Sequence, residues 1–126
     1  MYMSIQMYEP NRTLASITHL LGLVVGFLGP LVVYLTTSDA FVKRNAANAL
    51  NWQIIFVVYG IFLVGLLFLA ATLVPSEQTF IHTTLFGSAL LILPLLFIVD
   101  LVFIIIATMR ASKGEEWEYP LTPKLL

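Results

Sequence analysis

Residues 48–74 read NALNWQIIFVVYGIFLVGLLFLAATLV, a run without a full charge. It exceeds the ~20 apolar residues that a helix needs to cross ~30 Å of hydrocarbon. Lipid offers backbone N–H and C=O groups no partner, so the run is expected to be helical throughout. Two further runs read the same way. One covers about residues 14–35 and is also uncharged; the other covers about 83–109 and holds one acid, Asp100. The expected fold class is therefore an all-α integral membrane protein with three transmembrane helices, forming one transmembrane domain over residues 1–126.

Composition supports a membrane solvent. Of the 126 residues, 60% are hydrophobic and 10% charged, whereas soluble domains carry about 25% charged residues. A net charge of −1 argues against a nucleic-acid partner. With no cysteine, disulfides, thiolate nucleophiles and Cys-based metal sites are excluded. The start, MYMSIQMYEPNRT, lacks the basic stretch of a signal peptide, so the first run is read as a retained membrane helix.

The breaks between runs follow side-chain chemistry. Thr36-Thr37-Ser38-Asp39 closes the first, and Ser38 or Asp39 can cap the next helix by accepting from its free N–H groups. Val74-Pro75-Ser76-Glu77 closes the second. Lys113-Gly114 closes the third, since glycine readily takes the left-handed conformation that ends a helix. Gly29-Pro30 and Pro94 are expected to kink the runs that contain them. Residues 40–50, with Lys43 and Arg44, resemble an amphipathic lead-in lying in the inner interface. Residues 110–126 form a tail.

With three crossings, Lys43 and Arg44 share a side with Arg110, Lys113 and Lys124, leaving only Arg12 on the other. The positive-inside rule then expects the N-terminus outside a cell membrane and the C-terminus in the cytoplasm.

Polar residues within the apolar runs are the candidate functional positions. Asp100 lies ten residues before Arg110, ~15 Å along the helix, and a carboxyl there must face protein or a polar path. His19 is the second intruder and could pair with Asp100; Tyr59 is the third. One His and one Asp are too few ligands for a metal site, so no metal or cofactor is expected. Gly22 and Gly26 form a GxxxG spacing which, with Gly29 and Pro30, marks a helix-packing face. Asn45, Asn48, Asn51 and Gln53 make a polar stripe at the start of the second helix, beside Trp52. In the tail, Trp117 and Tyr119 alternate with Glu116 and Glu118, as in a docking surface or an interfacial anchor.

Several pieces together resemble a family of small prokaryotic membrane proteins grouped with the import component of the chloroplast inner envelope (Tic-twenty-like). They are His19-Leu20-Leu21-Gly22-Leu23, Gly29-Pro30-Leu31, Phe41-Val42, Ala49-Leu50-Asn51-Trp52-Gln53, and Lys113-Gly114-Glu115 with Tyr119-Pro120-Leu121. The chain departs from that pattern at Asn45, where His is expected, and at Asp100, where Asn is more usual. The resemblance implies a helical membrane protein and, by way of the plant component, a place in a translocation complex.

The functional expectation is a non-enzymatic interaction or assembly subunit of a membrane complex. Its partners would be the bilayer and either further copies or a larger protein complex. No paired carboxylates, His cluster or nucleophile motif indicates an enzyme. The alternative is an oligomeric channel, transporter or translocation-like subunit that uses Asp100.

Overall fold

The computed structural model describes residues 8–126; the expectation that the start is not a signal peptide falls largely on residues 1–7, outside them. The described residues form four helices and no strand: α1 (Arg12–Val25), α2 (Leu28–Thr36), α3 (Ala40–Leu73) and α4 (Thr79–Ser112). Two of them, α3 and α4, each 34 residues, are long and apolar enough to cross a membrane.

The first apolar run does not form the expected single helix. α1 ends at Val25, and Gly26 takes φ +60° and ψ −144°. The cause is Pro30. Continued helix would drive its ring into the carbonyl four residues back, that of Gly26, and leave that carbonyl without a donor. The chain instead breaks at Gly26, where positive φ costs a glycine least. The expected kink at Gly29-Pro30 thus falls three residues earlier, and Pro30 sits in the first turn of α2, where a missing N–H is harmless.

After the break the chain doubles back. The backbone N–H of Asn11, before α1, donates to Asp39 Oδ2 at 2.9 Å, just after α2; the Tyr8 hydroxyl also donates to Asp39. The outer ends of α1 and α2 therefore meet, and the run is a hairpin rather than a crossing. A Cβ on Gly29 would lie 2.5 Å from Leu21 Cβ, so this glycine allows the two arms to approach near the tip.

Asp39 caps α3 as expected, accepting from the N–H groups of Phe41 (2.9 Å) and Val42 (3.1 Å). α3 then runs unbroken from Ala40 to Leu73. Residues 40–50 are its buried first turns rather than a separate interfacial helix, because their apolar and amide side chains pack within the protein. α4 passes through Pro94 without interruption. It closes as the sequence predicts: Glu115 N–H reaches Arg110 O, Gly114 N–H reaches Ala111 O, and Gly114 has φ +81°.

Packing is confined to one end. α1 lies against both α3 and α4, which touch each other less. Its buried face, Ala15, Thr18, His19 and Gly22, meets the stripe Asp100, Ile104, Ala107 and Ala111 of α4 and the first turns of α3. One cluster joins Ala15, Val33, Phe41, Val42, Ala46 and Ala111; a second joins Trp52, Ile104, Ala107 and Tyr119. Beyond Gln53 in α3 and before Asp100 in α4, no residue is buried. The protein is thus a packed head carried on two bare apolar helices. Arg12 lies against Gly114, so segment 8–11 and the start of the tail share the head end. They are not on opposite sides, as three crossings would require.

Candidate functional site

The buried polar side chains of the head gather around α1, α3, α4 and the tail. α1 contributes His19 because its helical spacing puts Ala15, Thr18, His19 and Gly22 on one face. His19 is 1% exposed. Its Nε2 lies 2.9 Å from Asn45 Oδ1 and its Nδ1 lies 2.8 Å from the Tyr119 hydroxyl. The Asn45 amide nitrogen donates to Phe41 O at 3.0 Å, which leaves Oδ1 as the acceptor toward His19. Burial lowers the imidazole to about 4, so it is neutral; with Asn45 Oδ1 accepting from Nε2, Nδ1 accepts from Tyr119. Burial, and after it the charge of Asp100, push the Tyr119 phenol above its ordinary value, which keeps that hydroxyl available as a donor.

Asp100 occupies a separate node. Its Oδ1 accepts from Trp52 Nε1 at 2.7 Å and from Gln53 Nε2 at 3.4 Å. His19 and Asp100 do not form the pair considered from the sequence; the Trp52 and Tyr119 rings stand between their two networks, stacked at 5.5 Å with planes 5° apart. Phe56, Phe103 and Trp117 complete the aromatic cluster. Phe103 lies 5.1 Å from Trp52 and meets Trp117 edge-on at 5.7 Å. Aromatic packing of this kind contributes about 0.5–1.5 kcal/mol per pair beyond the area it buries.

The amide stripe of α3 is consumed within the molecule rather than presented to headgroups. Asn48 donates to Trp117 O (3.3 Å), Asn51 Oδ1 accepts from Leu126 N–H (3.1 Å), and Gln53 serves Asp100. These contacts hold the tail against α3, with help from Tyr59, whose hydroxyl donates to Leu121 O at 3.0 Å. Arg44 and Glu116 form an ion pair, and Arg110 pairs with Glu115 at 2.7 Å. Tyr119 is 4% exposed, so the tail aromatics are part of the head's core and not a free interfacial anchor.

The glycines divide by role. A Cβ on Gly22 would lie 2.9 Å from Gln53 Nε2, so its packing partner is α3 of the same chain. Gly26 has no close neighbour and supplies the break. The sequence reading gave Trp52 no role beyond its place beside the amide stripe. The signal was present: a lone acid in an apolar run needs donors, and Trp52-Gln53 is an adjacent donor pair in the neighbouring run. Phe103 gave no such signal among so many apolar residues. No group of three or more His, Cys, Asp or Glu suited to a metal occurs among the described residues.

Residues 10–126 match the magnetosome magnetite crystal formation protein family (MamF and MmsF), and the chain belongs to that family. The family is one of small membrane-associated proteins; the expected similarity to the chloroplast import component gains no support from the match. No curated protein and no solved structure matches the chain.

Proposed function

We propose that this member of the magnetosome magnetite crystal formation family is a non-enzymatic assembly subunit of the magnetosome membrane. Two spans would hold its helical head at the cytoplasmic face, where it meets further copies or other membrane components. The distribution of basic residues carries this reading. The hairpin brings Arg12 to the head end, beside Lys43, Arg44, Arg110, Lys113 and Lys124. All six Lys and Arg residues then lie at that end, and the connection at the far end, Val74–Gln78, carries only Glu77. The positive-inside rule assigns the head to the cytoplasm.

The polar cluster suits a structural role. Each buried polar side chain described above bonds to another side chain or to the backbone, which fixes α1, α3, α4 and the tail in one arrangement. A carboxylate held by Trp52 and Gln53 favours a tie between α4 and α3 over a permeation path. On this reading the protein acts on crystal formation through the membrane and its partners, since the far face exposes little beyond a short connection.

The cysteine-free chain allows a direct test. Single substitutions Ser38→Cys, Ser112→Cys and Ser76→Cys are treated with a membrane-impermeant maleimide in isolated magnetosomes, whose outer surface is the cytoplasmic face. Ser38→Cys and Ser112→Cys should label at once, and Ser76→Cys only after detergent. Labelling of Ser76→Cys alone would reverse the sidedness. Labelling that separates Ser38→Cys from Ser112→Cys would put an odd number of crossings between them and overturn the two-span reading.

A further inference from the structure

We propose that the α1–α2 hairpin is a membrane wedge, which makes the protein favour membrane that is convex toward the head. The hairpin has two unlike faces. Ala15, Thr18, His19, Gly22, Gly29, Pro30 and Val33 are buried against the head. The opposite face exposes Leu20, Val24, Leu28, Val32 and Leu35, with Val24 80% and Leu35 70% exposed. Residues 13–38 contain no Lys, Arg, Asp or Glu, so this face carries no charge.

Lipid is the occupant that the surroundings select. The exposed hairpin surface continues without a polar break onto the bare surface of α3. Phe27 and Leu31 of the hairpin line one apolar groove with Ile54, Val57 and Val58 of α3, and the tail residues Leu125 and Leu126 close its side. Those α3 residues open the segment 54–73, whose ~20 residues match the ~30 Å hydrocarbon thickness. The tip residues Val24, Val25, Phe27 and Leu28 therefore reach the acyl boundary. The arms lie at headgroup depth, as do Glu118 and Lys124, paired at 2.7 Å and well exposed on the tail flank. An apolar face set at this boundary binds in a curvature-sensitive manner.

The asymmetry follows from counting helices across the bilayer. At the head end four helices and the tail occupy cross-section. Toward the far end, beyond Tyr59, only the remaining lengths of α3 and α4 do, and these are unburied and loosely apposed. The head-side leaflet must accommodate protein volume that the other leaflet lacks, and bending toward the head relieves the mismatch. This inference does not depend on which cellular face carries the head, so its failure would leave the sidedness reading untouched.

The test uses the full chain, labelled through Ser112→Cys and reconstituted into liposomes of a wide range of diameters. Single-vesicle fluorescence reports protein per unit area, and an impermeant quencher separates head-out from head-in molecules. Head-out density should rise severalfold from the largest to the smallest vesicles, and head-in density should fall. A density independent of diameter in both orientations would overturn the proposal. The double variant Val24→Asn with Leu28→Asn changes exposed side chains only. It should keep the thermal stability of the parent and lose the preference; a preference that survives would assign curvature to the spans and also overturn the wedge.

Discussion

α3 and α4 each belong to two regions built on different terms. Over Phe41–Gln53, α3 buries nine side chains, among them Asn45, Asn51 and Gln53; from Ile54 to Leu73 it buries none. α4 is its mirror, bare from Thr79 to Val99 and buried at Asp100, Ile104, Ala107 and Ala111. The packed halves mix alanines, amides, an acid and an aromatic cluster. The bare halves are mostly large and apolar and carry no charged residue; the hydroxyls of Thr72, Thr83, Thr84 and Ser88 bond back to their own helices. The difference reflects what each half has for a neighbour. Where lipid is the neighbour, any apolar side chain serves and no shape is required. Where protein is the neighbour, small residues set the approach of helices, and polar groups are tolerated only with partners.

The widest separation between the regions is expected from two truncations in the same helix. Trp52→Ala removes the centre of the aromatic cluster and the 2.7 Å donor to Asp100. It should cost about 3–5 kcal/mol, read as a large fall in melting temperature in detergent. Phe62→Ala removes another large aromatic ring, one that is 70% exposed, and should leave the melting temperature nearly unchanged. Equal losses would mean that the bare half packs against protein after all, as in a tight oligomer. The next contrast concerns hydrogen bonds. His19→Leu leaves Asn45 Oδ1 and the Tyr119 hydroxyl without partners, at about 1–3 kcal/mol for an orphaned buried group. Ser88→Ala removes a hydroxyl bonded only to Thr84 O in its own helix, and should fall within about 0.5 kcal/mol of the parent.

The same division explains what could be read from sequence. Run length and composition single out α3 and α4 as helices long and apolar enough to cross a membrane, because lipid solvation depends on little else. The Asp39 cap and the Gly114 closure were legible for a similar reason: they rest on local chemistry within a few residues. The hairpin was not. Its arms total a span's worth of apolar residues, so hydropathy alone could not separate a crossing from a return. The deciding facts are the clash that Pro30 imposes on Gly26 and the long-range bond from Asn11 to Asp39. The site was half legible. His19, Asp100 and the amide stripe stood out as polar residues in apolar runs, but their pairing depends on where α1 lies, and that follows from the hairpin.

Glycine substitutions sharpen the contrast with opposite signs. Gly26→Ala places a side chain at φ +60° and ψ −144°, a region almost reserved for glycine, at a cost of about 1–3 kcal/mol. Gly60 lies in regular helix with nothing within 4 Å of an added Cβ. Gly60→Ala should therefore raise stability by about 0.5–1 kcal/mol. A loss at Gly60 would show that another backbone approaches the bare half closely in the membrane.

The smallest effect expected is a difference in acid response. Burial draws the Asp39 carboxyl upward, but hydrogen bonds from Tyr8 and from the N–H groups of Asn11, Val42 and Phe41 outweigh it and hold the group below its ordinary value. A carboxylate lowered on folding contributes stability that is present above its unfolded value and lost as pH falls through its folded value. Glu115, lowered chiefly by its bond from Arg110, acts in the same direction. Both groups belong to the head, and residues 54–73 and 79–99 contain no Asp or Glu. Acid should therefore loosen the ends of the hairpin and tail while α3 and α4 keep their helicity in the bare half. Asp39→Asn retains an oxygen able to cap α3 but removes the charge, so its melting temperature should fall less steeply with acidification than the parent's. If the two profiles run parallel, the Asp39 charge plays no part in closing the hairpin, and its contacts with Tyr8 and Asn11 act as neutral hydrogen bonds.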